Sequence, residues 1–274
     1  LTIATVLGVP VANWMGQILG WRSGFFVVCA LAVLTMSLVA LYAPRDAGDP
    51  KASPMRELSA LGKSQVWLTL LTGAIGFGGL FAVYSYLSAA MLATTQAPGW
   101  AVPVMLSAFG IGGTLGGILA ARLTIRHGTW RASFMLMVFM ALTQAFASWA
   151  VGDWLLMVLS SFVLGLGSGM VVPLQTRLME VAGRAQSMAA AMNHAAFNAA
   201  NALGPWLAGM ALAAGWGWQS SGMVAVGLSV AGLLALGIAW YQSRISGDVL
   251  HDCPAGMRGE FAPDRDEDPI ARGQ

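Results

Sequence analysis

Charge is what this sequence lacks most. Only 9% of its 274 residues are Asp, Glu, Lys or Arg, against roughly 25% in an ordinary soluble domain. A soluble fold of this length has residues enough for a good core, but too few charges here to clothe its surface. Residues 65–121 contain none of the four types, a run of 57 residues with room for two membrane crossings of roughly 20 residues each. Cysteine is scarce too. Cys29 lies in an apolar run and Cys253 in a polar stretch near the C-terminus, so no disulfide framework is expected. His127, His194 and His251 stand far apart in the chain, without metal-ligand spacing and without the clustered nucleophile, base or ligand set an enzyme needs. Two glycine-rich runs, Gly76-Phe77-Gly78-Gly79 and Gly165-Leu166-Gly167-Ser168-Gly169, sit inside apolar segments with no acidic residue at the spacing of a dinucleotide site, which excludes that reading. A net charge of +2, carried singly or in short loops, is no footprint for nucleic acid. The expectation is a non-enzyme with no cofactor, no metal and no nucleic-acid partner.

What is present is apolar: 57% of residues are hydrophobic and the mean hydropathy is +0.69. Eight segments can be marked, over residues 1–19, 24–42, 65–91, 101–121, 132–151, 154–174, 187–214 and 220–241. Each is long and continuous rather than alternating over about ten residues, which predicts membrane helices and not barrel strands. The chain opens on Leu1 in an apolar run without a basic leader; that predicts a chain entered partway through, a fragment of something longer.

The hydrophilic stretches set the orientation. Residues 43–64 form a linker in which Ser53-Pro54 is a good helix start and Gly62 a good stop. Met55, Leu58 and Leu61 would share one face of a short helix lying along the membrane surface, with a disordered loop as the alternative. Beyond residue 243 the chain turns polar and rich in Gly, Pro and Asp, which predicts a disordered tail. The turns after segments two, four and six, together with this tail, hold 13 of the 14 Lys and Arg residues, and the remaining turns hold only Arg22. Setting the tail aside leaves nine against one. By the positive-inside tendency these basic turns and the C-terminus are cytoplasmic.

The densest basic turn carries a resemblance. Gly113-x3-Gly117-x-Leu119-x-Ala121-Arg122, followed by Arg126, resembles the signature loop of the major facilitator superfamily, whose weaker copy joins helices eight and nine. The linker at 43–64 is similar to the one between helices six and seven of that family. Both landmarks give one register, in which the eight segments are helices five to twelve of a major-facilitator-type, all-α membrane bundle. The first segment, with Gly8, Pro10 and Gly16, looks like the Gly-Pro motif on helix five of drug:proton antiporters, and residues 203–219 echo it. The run from Val171 to Gly204 looks like the branch containing arabinose (sugar) efflux permeases and chloramphenicol-resistance proteins. Two departures stand out. Ala121 replaces the acidic residue of the signature, and helices one to four have no counterpart in this sequence.

The resemblance implies residues 1–43 as the last two helices of an N-terminal half, 44–64 as the cytoplasmic linker, 65–243 as the C-terminal six-helix half and 244–274 as the tail. It also implies secondary active transport in a bacterial inner membrane, proton-coupled efflux of a small organic solute, sugar or drug, by alternating access. The partners are then the lipid bilayer, the solute and the proton, and the full-length protein would act as a monomer. A non-transporting or degenerate membrane protein, scaffold or inactive fragment, is the alternative.

Several residues are candidates for the solute path. His194 is the one titratable side chain deep in the apolar segments, and an ionisable group there is a functional candidate by default. Asn198 and Asn201 follow at i+4 and i+7 on the same helical face, with Asn193 beside them; the structural alternative is that all are hydrogen-bonding glue between helices. Asn13 and Gln17 make a similar pair. Phe77, Phe81 and Tyr84, with Tyr86, accompany Gly76, Gly78 and Gly79 on the third segment. The resemblance makes that segment a cavity-lining helix that bends at a gate, with the interface aromatic belt as the alternative. Gly165-x3-Gly169 and Gly113-x3-Gly117 are spaced for close helix approach.

Overall fold

The computed structural model describes residues 8–43, 59–183 and 185–245. Every regular element among them is helical. We number the rods α1 (Val9–Leu19), α2 (Arg22–Tyr42), α3 (Ser64–Thr94), α4 (101–127), α5 (129–150), α6 (Trp154–Ala182), α7 (Gln186–Ala213) and α8 (Ser220–Ile245). α4 and α5 form one helix, Ala101–Ala150, broken at a single residue. The described part of each of the eight segments read from hydropathy is thus helical, and the fold is an all-α bundle. Among the described residues five helices are long and apolar enough to cross a membrane: Arg22–Tyr42, Ser64–Thr94, Ala101–Ala150, Trp154–Ala182 and Ser220–Ile245. The third of these contains both α4 and α5.

Two turns are shorter than the sequence reading gives, for one reason: hydropathy marks where a membrane run ends, and a helix ends only where its backbone does. α4 passes Ala121 and continues through His127. The expected hydrophilic turn from Arg122 to Arg131 shrinks to Gly128, whose φ of 81° and ψ of 164° stop the helix. That φ is unfavourable for any residue with a Cβ. α6 likewise runs past Leu174 to Ala182, with a tighter 3-10 turn at Ser168–Met170. Of the surface helix expected from Ser53 to Gly62, only the 3-10 turn Ser59–Gly62 falls within the described residues. Met55 and Leu58 lie outside them, as do the tail beyond residue 245 and the side chains of Asn13 and Gln17.

The core is built from methionine and small residues. Met91, Met105, Met137, Met140, Met157 and Met170 are fully buried, with Leu80 and Leu164. Unbranched thioethers fill the irregular gaps between rods that glycine brings close together. The tightest seam joins α4 to α6. A Cβ added at Gly112 would land on the carbonyl of Phe162, one at Gly116 on that of Leu166, and one at Gly165 on that of Phe109. The small-residue seam on α4 is therefore Gly112-x3-Gly116, one position earlier than the spacing from Gly113 to Gly117 suggests. Gly117 itself faces open space, while Gly165-x3-Gly169 is the partner row, as expected. Backbones this close gain dispersion contacts that bulkier residues would forbid.

Four threonine hydroxyls in the rods are satisfied locally. Thr69, Thr72, Thr114 and Thr124 each donate to the carbonyl four residues back, at 2.7–3.0 Å. At the ends of α5 and α6, Asp153 caps α6 by accepting from the amides of Leu155 and Leu156 at 2.9 and 3.2 Å. Exposed Trp67 and Trp240 near one end of the bundle, and Trp100, Trp149 and Trp216 near the other, match the two aromatic girdles of a membrane protein. α2 is 0% buried over its apolar window, while carrying Phe25, Phe26, Leu34 and Leu41 fully to the outside. An apolar area of that extent belongs against lipid or protein and not water.

Candidate functional site

α3 and α7 run parallel and in register. Phe77 meets Phe197 edge to face, with ring centroids 4.9 Å apart, and further along the Tyr86 hydroxyl donates to the Pro205 carbonyl at 3.0 Å. Between these contacts the two backbones touch: a Cβ at Gly204 would meet the carbonyl of Gly78. The i, i+4, i+7 row of Phe77, Phe81 and Tyr84 lines one face of α3. Phe77 packs edge-on to Phe81 at 5.4 Å, and Tyr84 lies against Phe109 of α4 at 4.4 Å. The structure thus gathers the aromatics picked out on α3 and adds Phe109 and Phe197, which carry no special sequence pattern. Phe77 is buried and Phe81 and Tyr84 are half-buried. Such faces offer stacking and edge contacts to the apolar faces of a solute.

α3 is one continuous helix from Ser64 to Thr94, and its glycines are sites of close packing. Gly76 faces Met137 and Gly232, Gly78 faces Ala200 and Gly204, and Gly79 faces the Ala225 carbonyl and the Gln144 amide.

α7 carries the polar face. His194, Asn198 and Asn201 are exposed, whereas Asn193 is turned inward and buried. Asn198 and Asn201 sit at the midpoint of α7, level with the phenylalanine contact to α3. His194 stands a turn earlier. Pro205 within the helix has no N–H to offer the carbonyl of Asn201 four residues back. Imidazole, two carboxamides and this carbonyl give the mid-height of α7 a hydrogen-bonding surface facing away from its own bundle. The helix is less apolar than the membrane-length helices α3, α6 and α8, and this face is the reason. In hydrocarbon such groups would cost several kcal/mol in lost hydration, on the order of 2–7 kcal/mol each without partners.

Two polar joints went unread in the sequence. Gln144 of α5 is wholly buried. With its amide oriented to satisfy every neighbour, Nε2 donates to the Ala225 carbonyl at 2.8 Å and to Ser229 Oγ at 2.7 Å, and Oε1 accepts from the Leu80 amide at 3.2 Å. One side chain so ties α3, α5 and α8 at mid-height. The other joint lies at the bundle end that holds the basic residues. Arg177 of α6 is buried beneath Trp130, its guanidinium 4.2 Å from the indole centre, and it lies 3.9 Å from the Glu180 carboxylate. Thr129 donates to Glu180 at 3.2 Å, Arg177 donates to Gln65 at 3.4 Å, and Gln65 donates to the Ala239 carbonyl at 3.0 Å. Lys63 caps the end of α6 through the Val181 and Ala182 carbonyls, at 2.9 and 3.2 Å. A lone Gln in an apolar run, or an Arg and a Glu three apart at a helix end, looks in sequence like an ordinary surface feature.

The remaining expected positions lie apart from these. Gly113 sits beside Ser168, and Arg122 and Arg126 are exposed at the end of α4. Gly8 and Pro10 open α1, and a Cβ at Gly16 would meet nothing within 4 Å. α1 touches α2 and the Ala101–Ala150 helix. Among the described residues no three His, Cys, Asp or Glu side chains come together to hold a metal.

A helical bundle with lipid-compatible flanks and one polar, aromatic-flanked face at mid-height defines a multi-pass membrane protein of the transporter type. The family model of the Major Facilitator Superfamily matches the sequence over residues 1–179 and again over 91–249. The chain belongs to that superfamily, a family of transporters and not of enzymes. It is 34% identical over 240 residues to the inner membrane transport protein YdhP of Escherichia coli K12, covering 86% of this chain and 60% of that protein. It is 31% identical over 243 residues to a chloramphenicol resistance protein of Streptomyces lividans, covering 84% and 61%. It is 27% identical over 202 residues to a probable sugar efflux transporter of Helicobacter pylori J99, covering 72% and 50%. The chain thus spans about 60% of the length of the first two.

Proposed function

We propose that this chain is the larger part of a secondary active transporter of the bacterial inner membrane that exports a small organic solute, a sugar or a drug, in exchange for protons. The observation that carries the reading is the exposed polar face of α7. His194, Asn198 and Asn201 are amide and imidazole groups at mid-membrane height on an outward-turned face, and lipid is the wrong solvent for them. A water-filled cavity closed on its other side by further helices is the right one. The relatives have the length to supply such helices. In this reading α1 and α2 are helices five and six, residues 44–64 are the cytoplasmic linker and α3 to α8 are the C-terminal half. The tail and the basic bundle end face the cytoplasm, as the distribution of Lys and Arg favours. Phe77, Phe81 and Tyr84 flank the solute path. The Gly113–Arg126 segment and the Gly8-Pro10-Gly16 segment belong to the moving interfaces rather than to solute binding. The complete protein works as a monomer by rocking one half against the other.

The test is uptake of labelled sugars and of chloramphenicol into inverted membrane vesicles carrying the full-length gene product. The expected result is uptake that collapses on adding a protonophore. Uptake indifferent to the proton gradient would remove the coupling, and no uptake of any solute by a folded full-length protein would leave the non-transporting reading.

A further inference from the structure

At the break between α4 and α5 three arginines, Arg122, Arg126 and Arg131, reach the surface together with His127. No described side chain of the bundle forms an ion pair with them. Among the described residues the only carboxylate paired with a cation is Glu180, and its partners are Arg177 and Thr129. Arg131 even stands in the first turn of α5, where the helix dipole disfavours a cation. Below the arginines the same outer surface is apolar. Arg122 and Arg126 lie four apart on α4, and the face they share continues through Ile118, Leu115 and Ile111, which are 49, 42 and 47% exposed. Across Gly128, the face of Arg131 continues through Met135 and Leu142 at 48 and 64%. Two greasy stripes on consecutive rods therefore run up to exposed arginines on either side of Gly128.

We infer that this surface is a docking site for an anionic glycerophospholipid. Its phosphate is held by Arg122, Arg126 and Arg131, and its two acyl chains lie along the α4 and α5 stripes. A phosphate diester matches guanidinium donors in charge and geometry, and basic clusters beside membrane helices select anionic headgroups over zwitterionic ones. The stripes are what separate a lipid from a free phosphate, which has nothing to lay along them, and from the acidic run Asp264–Asp268 of the tail, which has charge but no hydrocarbon. The site is separate from the proposed solute path on α7, so its test does not depend on transport.

The experiment uses the purified chain in bilayer discs of phosphatidylcholine with phosphatidylglycerol, extracted into detergent and weighed with its bound lipids by native mass spectrometry. The expected result is retention of phosphatidylglycerol over phosphatidylcholine, a preference that falls with added salt. It should drop about fivefold for each arginine removed in R122Q, R126Q and R131Q. Inorganic phosphate should not displace the lipid. Equal retention of the two lipids, or an unchanged preference in the triple variant, overturns the inference. So does displacement by phosphate alone, which would make this a free-anion site, or a gain in lipid binding on deleting residues 250–274, which would give the patch to the tail. If the triple variant does not fold, the salt series on the unaltered chain decides, and a salt-independent preference counts against the proposal.

Discussion

α2 and α7 are both long enough to span a bilayer, and they differ in almost everything else. α2 is the more apolar, and none of its apolar stretch is buried. α7 falls below the apolarity of a span, yet it packs backbone to backbone on α3 through Gly204 and Gly78. Hydropathy would rank α2 as the surer membrane helix and α7 as the doubtful one. The contacts explain the inversion. A helix facing only hydrocarbon must be apolar all round, and packs by nothing more specific than lipid. A helix between a bundle and an aqueous path must carry small residues on one side and polar ones on the other. In the proposed reading, low hydropathy in α7 marks the solute path, and high hydropathy in α2 marks exposure to lipid or to other helices of the same kind.

The sharpest way to break this comparison is to add the same bulk to both helices. Gly204→Val drives a side chain into the Gly78 backbone, and it should destabilise the bundle by about 3 kcal/mol or more. Gly24→Val on α2, where a Cβ would meet nothing within 4 Å, should change nothing measurable. Thermal unfolding in detergent compares the two, and equal losses would contradict the packing. Next in size is Gln144→Leu, which keeps the volume and strips the amide from Ser229, Ala225 and Leu80. A loss of about 2 kcal/mol is expected, read as a lower midpoint in the same unfolding assay.

A third variant probes the polar face. Asn198→Leu should leave the midpoint nearly unchanged and slow transport by the full-length protein about tenfold, equivalent to roughly 1.4 kcal/mol. Ser37→Leu on α2, whose hydroxyl donates only to its own helix at Val33, should alter neither quantity. A large stability loss in Asn198→Leu without a change in transport would make that face structural glue. The smallest effect is local. Asp153→Ala removes the cap of α6 and should cost about 1 kcal/mol, visible as faster amide exchange at Leu155 and Leu156.

Lipid as the solvent, helices as the elements and the family itself were all legible in the chain. Each depends on quantities summed over many residues: 57 positions without a charge, eight long apolar runs, a signature loop at Gly113 to Arg126. Such sums survive local errors. The aromatic row on α3 and the face shared by His194, Asn198 and Asn201 were legible too, because helical spacing alone puts i, i+4 and i+7 on one side. Only the tertiary structure decided which way those faces turn. It sent Asn193 inward and Asn198 outward, pressed the backbones of Gly112 and Gly116 hardest against α6, and made the α3 glycines contact points. It also buried Gln144 and Arg177, which a linear reading passes over. The reason is that composition and period fix what a rod is and where its stripes lie, whereas the rotation and height of one rod against the next are set by backbone contacts at a few glycines and by hydrogen bonds between residues up to 174 positions apart, such as Gln65 and Ala239.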